Sequence, residues 1–146
     1  MDENKKVTYA DKDASWELYV ELNTKMTTQS ITQSYNDEPS TGDSKSALAS
    51  IYSIFPETRV ILKEHGLEGK QFANLAFEML NRVIRPFTTK WHGISEGMHH
   101  SHFNEYCSVR FQEDLEQLQS DLDPYVTKFL KMANTNDDSL DRYVEE

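Results

Sequence analysis

The sequence is poor in cysteine, in glycine and in long hydrophobic runs. Cys107 is the only cysteine among 146 residues, which excludes an intrachain disulfide framework and fits a reducing compartment. Apolar runs stop at three residues, as at 60–62, so the sequence contains no membrane span and no signal-peptide core. Gly66 and Gly69 suit helix ends and do not form a phosphate-binding loop. We therefore expect a cytoplasmic domain with no cofactor and no membrane contact.

The chain also lacks an excess of positive charge. It carries 15 Lys+Arg against 25 Asp+Glu, a net charge of −10, and phosphate binding depends on concentrated Lys and Arg. This balance argues against an extended nucleic-acid surface. The acidity is uneven, because residues 111–146 hold 3 basic and 10 acidic side chains whereas residues 67–110 hold 5 and 4. A local anion site in the middle third of the chain stays open.

Hydrophobic periodicity predicts an all-α fold, an antiparallel bundle of about four long helices. We expect a loose N-terminus at 1–12, a single helical-bundle domain at 13–133 with a linker at 35–43, and a frayed acidic tail at 134–146. Asp13 or Ser15 is the predicted cap of the first helix, whose stripe is led by Trp16. Two or three helices are predicted to kink or split at Pro56, Pro86 and Pro124.

A cationic and aromatic cluster stands out in the middle third. It consists of Arg82, Arg85, Lys90, Trp91 and His92. Arginine and tryptophan dominate interface energetics, so the cluster predicts a site for a protein partner or, alternatively, for a small anion such as a nucleotide. On this basis the chain is predicted to be a non-enzymatic interaction protein, with a protein partner or a homo-oligomer expected.

Two residues of this cluster also have the spacing of a catalytic pair. Arg85 and His92 are seven residues apart, which places them on one helix face about 10 Å apart along a straight axis. The spacing resembles the R-x4–6-H motif of HEPN ribonucleases, an all-α family of bacterial toxin and defence systems. The resemblance implies metal-independent cleavage of RNA, with His92 as acid/base and Arg85 stabilising the phosphorane charge. Pro86 follows the arginine, where that motif usually carries a polar residue.

A second resemblance concerns residues 16–22, 27–29 and 85–92. These segments, which include Trp-Glu-Leu-Tyr-Val-Glu-Leu and Arg-Pro-Phe-Thr-Thr-Lys-Trp-His, look like stretches of small bacterial all-α proteins. Some of those proteins are associated with antiphage or conflict loci. The resemblance implies an accessory or sensor role in a multi-protein assembly and assigns no site.

The sequence predicts no resident metal. His99, His100 and His102 are the candidate ligands, but three histidines within four residues do not easily reach one ion. Glu17 and Glu21 share a helix face, yet the Glu-x-x-His pairs of di-metal bundles are missing from the helices. Trp16 and Trp91 are expected in the core, with the alternative that one of them anchors a partner.

Overall fold

A computed structural model describes residues 6–27, 41–97 and 105–135. It contains α1 (Tyr9–Leu22) with a π-helical extension (Asn23–Thr27), α2 (Thr41–His65), a 3-10 turn (Gly66–Gly69), α3 (Lys70–Met79), a π-helical segment (Leu80–Ile84), α4 (Arg85–Gly97) and α5 (Glu105–Ala133). None of the described residues lies in a strand. The predicted all-α class is therefore confirmed.

The prolines affect the helices less than their helix-breaking chemistry suggests. Both α2 and α5 continue without interruption across Pro56 and Pro124. Pro86 is the second residue of α4, and α4 directly follows the π-helical segment. At the end of that segment the Arg85 amide donates to the Leu80 carbonyl, five residues earlier. A widened turn therefore precedes the position where proline withholds its N–H group. The count of four long helices and the kinks at these prolines stay predictions.

Helix α1 begins earlier than predicted. Thr8 is its cap: the Thr8 hydroxyl accepts from the Asp11 amide at 3.0 Å, and the Asp11 carboxylate accepts from the Thr8 amide at 2.9 Å. This reciprocal capping box satisfies backbone donors that a helix start otherwise leaves unpaired. Residues 9–12, predicted to be loose, thus form the first turn, and Asp13 and Ser15 lie inside the helix.

The buried face of α1 also differs from the predicted one. Ala14, Leu18 and Leu22 are fully buried, whereas Trp16 is 51% exposed and Val20 is exposed as well. The prediction of a stripe led by Trp16 was wrong because it ranked residues by apolar size. The true stripe includes Asp11 and Ser15, both fully buried, and therefore looks polar in the sequence.

The core between α3–α4 and α5 follows the predicted faces. Phe72 packs on Phe129 with 5.6 Å between ring centroids, and Trp91 packs on Phe111 at 5.0 Å. The earlier residue of α3–α4 contacts the later residue of α5, and the later one contacts the earlier one. These helices therefore run in opposite directions here. Ile84 and Trp91 are buried in this layer, together with residues on the 3.6-residue stripes of the sequence: Phe72, Ala76, Met79, Leu80, Phe87, Phe111, Leu115, Leu118, Leu122, Val126 and Phe129.

One carboxylate joins the starts of two helices. Gly69, the cap residue of α3, has no side chain to accept from the first turn of that helix. The fully buried Asp11 carboxylate takes this role and accepts from the Phe72 amide at 2.9 Å. Next to it the Thr8 hydroxyl donates to the Glu68 carbonyl at 2.7 Å. These two contacts fix the start of α1 against the 3-10 turn between α2 and α3.

Several predicted segments lie partly or wholly outside the described residues. Of the predicted linker 35–43, residues 41–43 belong to α2 and the remainder lies outside. The tail is described only as far as Thr135, and His99, His100 and His102 are not described at all. Within the described ranges, no helix combines the length and the hydropathy needed to cross a membrane.

Replacing Asp11 with alanine tests the shared cap. The substitution removes acceptors from two helix starts and leaves the buried Phe72 amide unpaired, so we expect Asp11→Ala to lower the free energy of unfolding by about 2–4 kcal/mol. Chemical denaturation measures the change. The exposed Asp123 on α5 provides the control, and Asp123→Ala should stay within about 0.5 kcal/mol of the parent. Equal effects of the two substitutions would contradict the assigned role.

Candidate functional site

The predicted cationic cluster lies on the π-helical segment and on α4. Arg82 is on the π-helical segment, whereas Arg85, Lys90, Trp91 and His92 belong to α4. The structure does not gather the five side chains into one pocket. It distributes them over three sets of contacts, with Glu78 of α3, with α5 and with α2.

Lys90 and Trp91 meet on one carboxylate of α5. The Lys90 ammonium lies 2.6 Å from the Asp114 carboxylate, and the Trp91 indole N–H donates to the same oxygen at 3.0 Å. The Trp91 side chain is only 1% exposed and packs edge-on against Phe111. Trp91 is thus a core residue that fastens α4 to α5, in agreement with the expectation of a core tryptophan, and almost none of its surface is accessible to a partner.

Arg85 and His92 face α2 along a common seam. The Arg85 guanidinium lies over the Phe55 ring, 5.1 Å from its centroid, and its Nε donates to the Asn81 side chain at 3.1 Å. The His92 ring meets Tyr52 edge-to-face at 5.9 Å. Both side chains keep exposed surface. Tyr52 and Phe55 are three residues apart and therefore lie next to each other on one face of α2. Arg85 and His92 thus contact neighbouring aromatic rings.

Arg82 belongs to a separate contact with α3 and α5. Its guanidinium is 3.8 Å from the Glu78 carboxylate, which also accepts from the Tyr125 hydroxyl at 2.9 Å. Burial, and then this hydrogen bond to Glu78, raise the pKa of Tyr125 above its ordinary value. The Arg82 side chain is largely exposed, so its ion pair contributes little to stability.

A groove between α1 and α2 is a feature that the sequence pattern does not reveal. Its cavity of about 460 Å³ is lined by Trp16, Glu17, Val20, Glu21, Glu57, Val60, Ile61 and Glu64. Trp16 stacks on Tyr19 at 5.4 Å and stays half exposed, and Val60 is 54% exposed. In the sequence, the sign of this groove is the four-residue spacing between Trp16 and Val20. A buried core stripe has the same spacing, and from the sequence alone the core is the favoured interpretation.

Carboxylates flank the apolar part of this groove, and one cation lies among them. The Lys25 ammonium contacts Glu57 and lies 3.6 Å from Glu21. Burial by itself raises the pKa of Glu57, but Lys25 and the Glu21 carboxyl together bring it below its ordinary value. The Glu57 carboxyl, and then burial, raise the pKa of Glu21. Two carboxyl groups therefore share one ammonium, and Glu17 and Glu64 are further acidic residues of the groove.

Comparison with known proteins gives no match for this chain: no protein-family model, no curated protein and no solved structure aligns with it.

The contacts of Asp114 allow a direct test of what Trp91 does. Asp114→Ala removes the acceptor of the buried indole N–H, so we expect a loss of about 1–3 kcal/mol in the free energy of unfolding. Lys90→Ala removes only a partly exposed ion pair with the same carboxylate and should cost less than about 1 kcal/mol. Denaturation of both variants separates the two contributions. If Lys90→Ala costs as much as Asp114→Ala, the surface ion pair fastens α4 to α5 and the indole does not.

Proposed function

We propose that this chain is a non-enzymatic interaction protein, and that its α1–α2 groove binds a basic amphipathic helix of a partner protein. The observation that carries the proposal is the half-exposed Trp16 beside the exposed Val20 and Val60, flanked by carboxylates. A groove between two helices suits a third helix, whose apolar side chains enter at helical spacing.

Exposed apolar area supports the groove as the recognition surface. Tryptophan is the side chain most enriched among residues that dominate binding energies, because it removes a large apolar area from water while its N–H retains a polar contact. Trp16 has that area available, since about half of its surface is exposed. Trp91 is buried, so Trp16 replaces it as the tryptophan that contacts the partner.

Charge supports the choice of partner. Glu17, Glu21, Glu57 and Glu64 line the groove, and Lys25 contacts the pair at one end. A helix with Lys or Arg beside its apolar face would complement this arrangement and would be attracted at a distance by the acidic chain. The cationic cluster around Arg85 is the less favoured surface, because Lys90 and Arg82 already lie against Asp114 and Glu78.

The two tryptophans make this proposal measurable. The probe is a short amphipathic helical peptide of leucine and lysine, with a leucine–glutamate peptide as the charge control. Binding should protect Trp16 from acrylamide quenching and leave the buried Trp91 unchanged. Trp16→Ala should weaken binding at least about tenfold, as expected for a central aromatic anchor. Raising the salt concentration should weaken it further, because the attraction includes exposed charges.

A matched variant separates specific binding from general attraction to an acidic protein. Phe77 on α3 is 50% exposed, like Trp16, but does not line the groove. Phe77→Ala should leave the affinity for the leucine–lysine peptide unchanged. Equal affinities of the parent, Trp16→Ala and Phe77→Ala would contradict the proposal, as would equal binding of the acidic peptide.

A second candidate function is metal-independent cleavage of RNA by Arg85 and His92. The observation that favours it is their shared seam on α2, with both side chains partly exposed and packed on adjacent aromatic rings. In this hypothesis His92 takes the proton from the 2′-hydroxyl or gives one to the leaving oxygen. Arg85 stabilises the negative charge that develops on the phosphorane.

Cleavage of RNA in EDTA tests this second candidate. The purified chain should cut a labelled RNA, and His92→Ala and Arg85→Ala should each reduce the rate by at least about a hundredfold without unfolding the protein. Arg59→Ala, at an exposed position of α2, is the matched control and should keep full activity. Absence of cleavage by the parent protein, or cleavage that survives His92→Ala, would exclude the catalytic role.

A further inference from the structure

We propose that Asp13, Glu17 and His65 form a binding site for one divalent transition-metal ion, with Zn²⁺ as the ion that their donor atoms suit. The three side chains each offer one ligand atom, and these atoms lie within 4.8 Å of one another. The site does not include the predicted histidine cluster, and it shares Glu17 with the α1–α2 groove.

Two helices supply the three donors. Asp13 and Glu17 are four residues apart on α1 and therefore share one face of that helix. His65 is the last residue of α2 and approaches the same face from the side. Gly66, with φ of +62°, turns the chain immediately after His65 and ends the helix there. The imidazole is thus held at a fixed place, and its side chain is only 12% exposed.

Two of the separations between the donors are close to those in a coordination sphere. The His65 Nε2 atom lies 3.2 Å from a Glu17 carboxylate oxygen and 3.7 Å from an Asp13 carboxylate oxygen. Bonds of about 2.0–2.2 Å from zinc to nitrogen and oxygen place tetrahedral ligands about 3.3–3.5 Å apart. Rotation of the two partly exposed carboxylates can close the remaining distance, while the less exposed imidazole stays in place.

The electrostatics of these atoms favours a cation between them. One imidazole nitrogen faces two carboxylate oxygens, so three electron-rich atoms converge unless the imidazole N–H donates to Glu17 or a metal ion lies between them. The carbonyl end of α2, where His65 sits, adds partial negative charge that also favours a cation. One nitrogen and two oxygen donors suit zinc and its first-row neighbours better than Mg²⁺ or Ca²⁺, which prefer oxygen alone.

The site is open to solvent on one side. Asp13 and His65 also line a surface cavity of about 660 Å³, together with Glu64 and residues of the 3-10 turn. An ion can enter from this cavity, and water can fill the coordination positions that the protein leaves free. Three protein ligands with an open position is the arrangement found in zinc sites that exchange a ligand.

Zinc titration of a suitable variant tests the proposal. The starting protein is the full chain with His99, His100 and His102 replaced by alanine, so that this cluster cannot contribute. We expect it to bind one equivalent of Zn²⁺ by calorimetry and by metal analysis after dialysis. The imidazole ¹⁵N resonance of His65 should shift on binding. His65→Gln and Glu17→Gln should each weaken binding at least about tenfold.

The controls distinguish this site from adventitious binding and from misfolding. Asp123→Asn removes an exposed carboxylate of α5 and should leave zinc affinity unchanged. Glu17→Gln keeps the size and hydrogen-bonding capacity of the side chain, so its melting temperature without metal should match that of the parent. The proposal is overturned if the triple-alanine protein binds no zinc, or if His65→Gln binds it as tightly as the parent. In either case the hydrogen bond between His65 and Glu17 accounts for their contact without a metal ion.

Discussion

The Asp11 carboxylate connects the start of α1 to the start of α3. The geometry of the α1–α2 groove and of the proposed metal site depends on that connection. Asp11 is fully buried and accepts from the amides of Thr8 and Phe72. With the adjacent contact between Thr8 and Glu68, it sets which residues of α1 lie opposite the end of α2. Hydrogen bonds to a buried carboxyl group are directional and costly to lose, so they define this register more strictly than apolar packing does.

The outward face of α1 follows from the same constraint. Once Asp11, Ala14 and Leu18 face the core, helical geometry directs Asp13, Trp16 and Glu17 toward solvent or toward α2. The half-exposed tryptophan and the two carboxylates are thus consequences of one rotational setting of the helix. A rotation that buried Trp16 would move the carboxylates away from His65 and remove the groove as well.

The sequence predicted the helical class and the packing of the C-terminal half, because there apolar size and helical period agree. Phe72, Met79, Phe111 and Leu122 lie on regular stripes and are all buried. The prediction of the buried face was wrong for α1. There the buried residues include the polar Asp11 and Ser15, whereas the large apolar Trp16 is half exposed. The sequence also found Arg85 and His92 on one face but could not place Phe55 and Tyr52 beside them. Those contacts join α2 to α4, and periodicity carries no information about which faces of two distant helices meet.

By itself, the sequence determined that this chain is helical and acidic, since composition and local spacing decide such properties. Its short apolar runs agree with the finding that no helix in the described ranges could cross a membrane. The sequence also placed a helix end at Gly66. Only the tertiary structure decided that Trp16 lies on the surface and Trp91 in the core, and that His65 meets Asp13 and Glu17. Each of these outcomes depends on how one helix is rotated against another, and a single buried carboxylate, paired with backbone amides far apart in the chain, sets that rotation for α1.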